Sequence, residues 1–213
     1  MKRAAVLPFL LFALACGTDS TAPPAQVEQI LTEIDLYPPS LDFGSLGQTK
    51  GFRATPRDQR GLTIHGIDLS WTSSHPDLAT VGGAETHAVV TSVGNGTAFI
   101  TVASGEVSAT LPVIVRQVPQ EVLVTPETTG PLWFPLSVEL TAVVTDLNGN
   151  VCDQSWCAVT WSSEDPGIAA VDQTGTVTPV EVGTAEITAA VLMCFNTCTT
   201  LARGSAKVIV SPM

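Results

Sequence analysis

The sequence predicts an all-β fold of two tandem β-sandwiches, and two observations lead to this prediction. A pattern of Trp, Ser-Ser, Pro, Ala, Val, Gly-Thr-Ala and Ile-Thr occurs twice, in residues 71–101 and again in residues 161–188. Apolar residues make up 45% and charged residues 14% of the 213 residues, with 15 Pro and 17 Gly. Apart from a weak pattern in residues 27–34, no segment has a helical apolar period, so the composition is that of a turn-rich β protein.

The first sixteen residues predict an export signal. A basic start, Lys2-Arg3, precedes twelve apolar residues and then Cys16. Twelve apolar residues are too few to span a bilayer as a mature helix. The site resembles a bacterial lipobox, which implies that Cys16 becomes the lipidated N-terminus. A plain secretory leader is the alternative, because Ala13-Leu14-Ala15 also fits the small-x-small cleavage rule.

The residues after Cys16 predict where the protein is held. Residues 17–29 are small, polar and Pro-containing, which is typical of a flexible tether. Gly17, rather than Asp, follows the cysteine, and by the same resemblance this does not retain a lipoprotein in the inner membrane. We therefore expect an exported, lipid-anchored cell-envelope protein, held in the outer membrane.

The predicted strands then follow in two sets of the same order. A first edge strand in residues 34–38 ends at proline and returns 88 residues later, in residues 122–126. A second strand in residues 52–58 returns as residues 140–146, and each ends in an Asp/Gly turn. About seven short strands per repeat predict two sandwiches, in residues 30–116 and 117–213, with Trp71 and Trp161 as central core contacts.

Both repeats resemble the bacterial Ig-like domain, group 2, of invasin- and intimin-type surface proteins. The second repeat carries the resemblance in Val159-Thr-Trp-Ser-Ser163, Asp165-Pro166, Ala169-Ala-Val-Asp172 and Gly183-Thr-Ala-Glu-Ile-Thr188. The first repeat shares Trp71-Thr-Ser-Ser74 and Gly96-Thr-Ala-Phe-Ile-Thr101, but residues 82–87 lack the Asp-x-x-Gly turn. The resemblance implies two tandem Ig-like β-sandwich domains, and its shared residues serve packing and turns.

Four cysteines lie in the two insertions that distinguish the second repeat from the first. Cys152 and Cys157 lie before Trp161, and Cys194 and Cys198 lie in the last hairpin. In an Ig-type sandwich these two loops lie at the same end, so we expect the four thiols to be neighbours. Disulfides are expected in an oxidising compartment, and three pairings are possible. We favour the local pairs, 152 with 157 and 194 with 198, which would rigidify loop tips more than stabilise the domain.

Two metal sites are weaker alternatives. The cysteine spacings also fit a four-cysteine zinc site, which the oxidising compartment disfavours. Asp146-Leu-Asn-Gly-Asn150 resembles the start of a calcium loop but lacks its sixth-place glycine and its twelfth-place glutamate, and Asn-Gly is a hairpin turn signal. We therefore predict no metal and no cofactor.

Catalysis and nucleic-acid binding are not expected. His65, His75 and His87 lie in or near turns without a partner signature, and no catalytic or phosphate-loop motif occurs. The net charge of −11, with nine Lys and Arg, supplies no patch for phosphate contacts.

The sequence therefore predicts a non-catalytic envelope protein that acts in adhesion, binding or as a surface spacer. Its partner would be a cell-surface protein or glycan, and the membrane would be reached through the lipid anchor only. The predicted contact surface is the disulfide-bearing end of the second sandwich, and core or interdomain packing is the alternative for its aromatic residues. The candidate contact residues are Trp133, Trp156, Met193 and Phe195. A structural or accessory subunit of an envelope complex, without a ligand of its own, is the alternative function.

Overall fold

The computed structural model describes residues 28–194 and 198–212, and of residues 193–198 it describes no side chain. The described residues form two β-sandwiches in tandem, so the predicted all-β fold is confirmed. Within these ranges there is no helix with the length and apolarity needed to cross a membrane.

The first sandwich consists of two four-stranded sheets. Their strand orders are β1-β3-β6-β5 and β2-β8-β7-β4. The strands are β1 (Leu31–Tyr37), β2 (Leu41–Phe43), β3 (Thr49–Asp58), β4 (Ser70–Ser73), β5 (Ala79–Ala84), β6 (His87–Ser92), β7 (Gly96–Ser104) and β8 (Val107–Val115). The predicted first strand is an edge strand, because β1 pairs with β3 alone. The missing Asp-x-x-Gly turn is replaced by a tight β5–β6 hairpin, in which Glu85 has a φ of +52°.

The second sandwich has the same strand order along the chain, with one sheet divided into parts. The orders are β10-β17-β16-β13 for the continuous sheet, and β11-β15-β14 and β12-β9 for the divided one. The strands are β9 (Glu121–Thr125), β10 (Thr128–Leu132), β11 (Val138–Glu139), β12 (Thr141–Thr145), β13 (Val159–Ser163), β14 (Ala169–Val171), β15 (Thr176–Pro179), β16 (Gly183–Cys194) and β17 (Cys198–Val210).

Each sandwich has its own core, made by the inward residues of its two layers. The first core includes Ile100, Leu111 and Val113, and Trp71 packs edge-on against Phe52 at a ring-centroid distance of 5.3 Å. The second core includes Leu140, Ile187 and the buried Trp161. The two tryptophans therefore pack as central contacts, which agrees with the interpretation of the repeat as a fold signature.

Candidate functional site

The extended turn before Trp161 is closed by a disulfide and is part of the core. Cys152 and Cys157 are bonded to each other, with a Cα–Cα distance of 5.8 Å. Both cysteines are buried in the core cluster of the second sandwich, so this bridge does more than rigidify a loop tip. The bonded sulfurs of these two residues are not available to a four-cysteine zinc site.

The disulfide-bearing end of the second sandwich faces the first sandwich. Strand β9 follows directly from the linker, and its first residue, Glu121, pairs with Thr145, the last residue of β12. The turn after β12 leads through Asp146 to the disulfide. Strand β13 starts opposite Val191, so the last described pair of the β16–β17 hairpin, residues 194 and 198, lies at this same end. The disulfide loop and the described end of this hairpin therefore lie at the end of the second sandwich where the linker enters.

One buried carboxylate, that of Asp146, joins the two sandwiches. Its Oδ1 accepts the backbone N–H groups of Asn148 and Asn150, at 2.9 and 3.0 Å, which closes its own turn. Its Oδ2 accepts the backbone N–H of Leu46 in the first sandwich, at 2.8 Å, and the Gln117 side-chain amide, at 3.0 Å. The Asn150 side-chain amide also donates to Oδ1, at 3.3 Å. Asp146 is 3% exposed, so these five bonds replace its hydration.

The hydrogen bonds keep Asp146 ionised despite its burial. Burial by itself would raise the pKa of the Asp146 carboxyl, because it disfavours the charged form. The bonds from Gln117, Leu46, Asn150 and Asn148 outweigh this and lower its pKa below the ordinary value of 3.8. A charged, fully bonded carboxylate is thus the centre of the junction, and bonds to charged groups are stronger than neutral ones.

Hydrogen bonds donated by the second sandwich to the first complete the junction. The side-chain amides of Asn148 and Asn150 both donate to the carbonyl of Leu46, at 2.8 and 3.0 Å. In the linker, Gln117 accepts from the Asn95 side chain at 2.7 Å, and its amide also donates to the carbonyl of Val151 at 3.3 Å. The Leu46 turn of the first sandwich is therefore held through both its donor and its acceptor.

The indole of Trp156 lies beside the linker. The Arg116 guanidinium carbon is 5.9 Å from the centroid of the Trp156 ring, within the range of a cation–π contact. Trp156 is 46% exposed, so one part of the ring contacts the linker and another part faces solvent. The sequence allowed Trp156 either a role in partner contact or a role in interdomain packing. Its contact with Arg116 of the linker is interdomain packing.

The predicted contact residues do not form one surface. Trp133 follows β10, which runs parallel to β17 with Leu132 opposite Val210, at the far end from the disulfide. The expectation that Trp133 and Trp156 share the disulfide-bearing end is therefore wrong, because β10 leads the chain away from that end. Trp133 is 47% exposed at the opposite end of the sandwich.

Several predicted residues lie outside what the structure describes. These are Cys16 and Phe195, and the side chains of Met193, Cys194 and Cys198. The backbone pairs residue 194 directly with residue 198 across the β16–β17 hairpin. The second local bridge, like the lipidation of Cys16, stays a prediction.

Two of the three histidines, His75 and His87, form local pairs with a neighbouring hydroxyl. His75 Nδ1 is 2.9 Å from Ser74 Oγ, and His87 Nδ1 is 3.2 Å from Thr86 Oγ1. Ser74 Oγ also accepts the backbone N–H of Phe99 at 2.9 Å, which ties it to strand pairing. In the described ranges no carboxylate is bonded to either histidine, so neither pair has the third group that orients a catalytic base.

The sequence interpretation missed the junction role of Asp146, although a signal for it exists. Asp58 occupies the same place in the first repeat, where its Oδ1 accepts the backbone N–H groups of Arg60 and Leu62. Gln29 and Gln117 are also 88 residues apart, and their amides donate to Oδ2 of Asp58 and Asp146 at 3.5 and 3.0 Å. A Gln and an Asp at a repeated spacing thus mark the N-terminal end of each sandwich.

Comparison with known proteins supports the fold. Residues 137–192 match the family described as Bacterial Ig-like domain (group 2), and no curated protein matches the sequence. This match covers the region from β11 to β16 of the second sandwich.

Solved structures to which the chain is similar include bacterial and human proteins. Domains 5–6 of the S-layer protein SbsC are 23% identical over 86% of this chain and all of that one, with a TM-score of 0.38. The adhesin InvE of Yersinia pseudotuberculosis is 14% identical over 83% of this chain and 57% of that one, with a TM-score of 0.44. Human protocadherin-24 EC1-2, in crystal form II, is 14% identical over 86% of this chain and 98% of that one, with a TM-score of 0.42.

Proposed function

We propose that this protein is a non-catalytic, lipid-anchored component of the bacterial cell envelope whose two Ig-like sandwiches act in adhesion or binding, or as a surface spacer. The observation that carries the proposal is the junction at Asp146. A buried carboxylate with bonds from both sandwiches and the linker favours one relative orientation of the two units. A fixed two-sandwich unit suits the presentation of a surface at a set distance from a membrane.

The proposed anchor and tether lie at the N-terminal side of this unit. Lipidated Cys16 and residues 17–29 would connect the membrane to the first sandwich, which begins with β1. The second sandwich would then be the distal one, because its N-terminal end is taken up by the junction. In this arrangement the end that carries Trp133 points away from the membrane and is open to a partner.

The binding surface would therefore use Trp133 rather than Trp156. Trp156 contacts Arg116 at the junction, whereas Trp133 is exposed in a loop at the distal end. Met193 and Phe195 remain candidates from the sequence alone. The partner we propose is a cell-surface protein or glycan.

A second candidate function, that of an accessory subunit, is favoured by the apolar side chains at the distal end. Trp133 is accompanied there by three exposed side chains from the neighbouring turns, Leu136, Val180 and Val182. Exposed apolar side chains at one end of a soluble domain suit contact with another protein. A stable envelope partner would cover this end.

The anchoring proposal is tested by Cys16→Ser in the native bacterium, with Thr18→Ala as the matched control in the same tether. Metabolic labelling with a fatty acid should mark the wild type and T18A, and both should fractionate with the outer membrane. The C16S variant should lose the label and appear in the soluble envelope fraction. An unlabelled wild-type protein, or a C16S variant that stays in the membrane, would refute the lipid anchor.

The same cells distinguish binding from the accessory role. If the cells adhere to a surface and Trp133→Ala abolishes adhesion while the variant stays folded and anchored, the binding role is supported. Stoichiometric co-purification of one envelope protein, lost in the same variant, supports the accessory role instead.

A further inference from the structure

We propose that the outer face of the β1-β3-β6-β5 sheet in the first sandwich is a binding site for an anionic polysaccharide. The inference deepens the proposed binding role, on which it rests, by naming a site and a ligand class. It concerns a surface that neither the junction nor the distal end uses.

The face is defined by residues that pair across neighbouring strands. Tyr37 of β1 pairs with Arg53 of β3, Arg53 pairs with His87 of β6, and His87 pairs with Ala84 of β5. Directly paired residues point to the same side of a sheet, so these four form one row on one face. All four are exposed.

The next row on the same face is nearly without side chains. Gly51, Val89 and Gly82 pair across β3, β6 and β5, with a glycine on each side of the valine. Val89 is consequently 48% exposed. A groove of about 690 Å³ lies over this row, bordered by Tyr37, Arg53 and His87.

One end of the groove carries an arginine, Arg53, that is available to a ligand. Arg53 and His87 also line an adjoining cavity of about 350 Å³, together with Arg57, His65, Thr55 and Thr63. Arg57 is bonded to Asp35 and donates to the carbonyl of Gly61 at 3.0 Å, so its charge is already compensated. Arg53 has no side-chain hydrogen bond or ion pair among the described residues, which leaves its guanidinium available to a ligand.

Arg53 differs from the other basic residues near it in the sequence, which are already bonded within the described residues. Of the four basic residues in residues 50–60, Arg57 is bonded to Asp35, Arg60 is bonded to Asp58, and Lys50 donates to the carbonyl of Asp42. A guanidinium recognises carboxylate and sulfate groups through paired N–H donors. An exposed arginine in an acidic protein therefore selects for anions by short-range contact.

The ligand must also have a broad, weakly polar surface. Tyr37 is 73% exposed at the groove's edge, and Val89 forms part of its floor. An amphipathic ring such as Tyr can cover the apolar side of a sugar ring, and the threonine hydroxyls around Arg53 can bond its hydroxyl groups. A chain of acidic sugars has both features and can extend along the row from Tyr37 to Ala84.

The second sandwich provides an internal comparison. At the positions equivalent to Tyr37, Arg53 and Arg57 it has Thr125, Thr141 and Thr145, and Glu139 stands in place of Gly51. Thr125 pairs with Thr141 just as Tyr37 pairs with Arg53. The sandwich fold thus does not require the tyrosine, the arginines or the glycine, which are particular to the first repeat.

The experiment measures retention of the full-length protein, purified in mild detergent, on immobilised polymers. Polygalacturonate carries carboxylates, dextran sulfate carries sulfates, and dextran is the neutral control. We expect retention on at least one anionic polymer and none on dextran. Arg53→Ala should weaken binding about tenfold and Tyr37→Ala severalfold, whereas Arg203→Ala, an exposed arginine of the second sandwich, should bind like the wild type. Circular dichroism should show that each variant is folded.

The two polymers distinguish the source of the anion. Arginine-dependent retention on polygalacturonate indicates a uronic-acid polymer, and arginine-dependent retention on dextran sulfate indicates a sulfated one. Lack of retention on both polymers, unchanged binding by the Arg53 variant, or an equal loss in R203A would overturn the site. Because this assay uses purified protein, its failure is separate from a failure of anchoring in cells.

Discussion

At the residue scale, the two tryptophans show how one packing requirement is met by two different turns. In the second sandwich, Gly175 of the Asp-x-x-Gly turn lies under Trp161, and a Cβ there would be 3.1 Å from the indole ring and 2.4 Å from the Leu140 carbonyl oxygen. The first repeat lacks this turn, but Gly83 lies under Trp71 instead, where a Cβ would be 2.9 Å from the indole nitrogen. The glycine beside the tryptophan is thus kept while the turn around it changes.

This packing predicts a sharp difference between two adjacent glycines. Gly83→Ala should lower the free energy of unfolding of the first sandwich by about 1–3 kcal/mol, because the new methyl group would lie 2.7 Å from Ala88 Cβ. Gly82→Ala is the matched control, since a Cβ there has open space and an ordinary backbone conformation, and it should change stability by less than about 0.5 kcal/mol. Chemical denaturation followed by tryptophan fluorescence measures both. Equal effects of the two substitutions would contradict this account of Gly83.

At the element scale, the strands were predictable because their residues repeat, and the insertions were not. Paired spacings of 88 residues located the first two strands of each sandwich, and the observed partners of β1 and β9 follow that correspondence. The loop between β12 and β13 is longer than its counterpart between β3 and β4, and it carries two cysteines that the first repeat lacks. Its sequence indicated a disulfide, but burial of both cysteines depends on how the loop folds back on the core, which no local pattern encodes.

The buried position of this bridge predicts a contribution to global stability. The double variant Cys152→Ala/Cys157→Ala should lose about 2 kcal/mol of unfolding free energy, because the core loses the packing of two buried sulfur atoms and the unfolded chain loses its cross-link. Replacement of both by serine should cost more, because two hydroxyl groups would enter the apolar core cluster. Thermal unfolding should give the highest stability for the wild type, a lower one for the alanine variant and the lowest for the serine variant. A serine variant as stable as the wild type would place the bridge outside the core.

At the scale of the whole molecule, the repeat explains both the similarity of the two sandwiches and their connection. In both sandwiches the Gln before the first strand bonds the Asp 29 residues later in the chain. In the first, Oδ2 of Asp58 also receives the Arg60 side chain of the same turn, at 2.8 Å, whereas in the second it is Leu46 of the preceding sandwich that donates to Asp146. The donor to Asp146 is 100 residues away along the chain, so the turn sequence alone indicated a hairpin and not a junction.

The junction predicts that one carboxylate controls the relative motion of the two sandwiches. Asp146→Ala would remove the acceptor of the Leu46 and Gln117 bonds as well as the bonds that close its own turn. Asp172→Ala is the matched control, because Asp172 Oδ1 also accepts backbone N–H groups two and four residues ahead, from Thr174 and Thr176, in an exposed turn. Both variants should lose about 1 kcal/mol of stability in the second sandwich, because each loses the hydrogen bonds that close its turn.

Only the junction variant should change how the sandwiches move. NMR relaxation of backbone amides should give one rotational correlation time for both sandwiches in the wild type and in Asp172→Ala, because the two units tumble as one body. In Asp146→Ala each sandwich should have a shorter correlation time of its own, since its neighbour no longer restrains it. Independent tumbling already in the wild type would mean that the buried carboxylate does not fix the orientation, and the spacer role would then lose its structural basis.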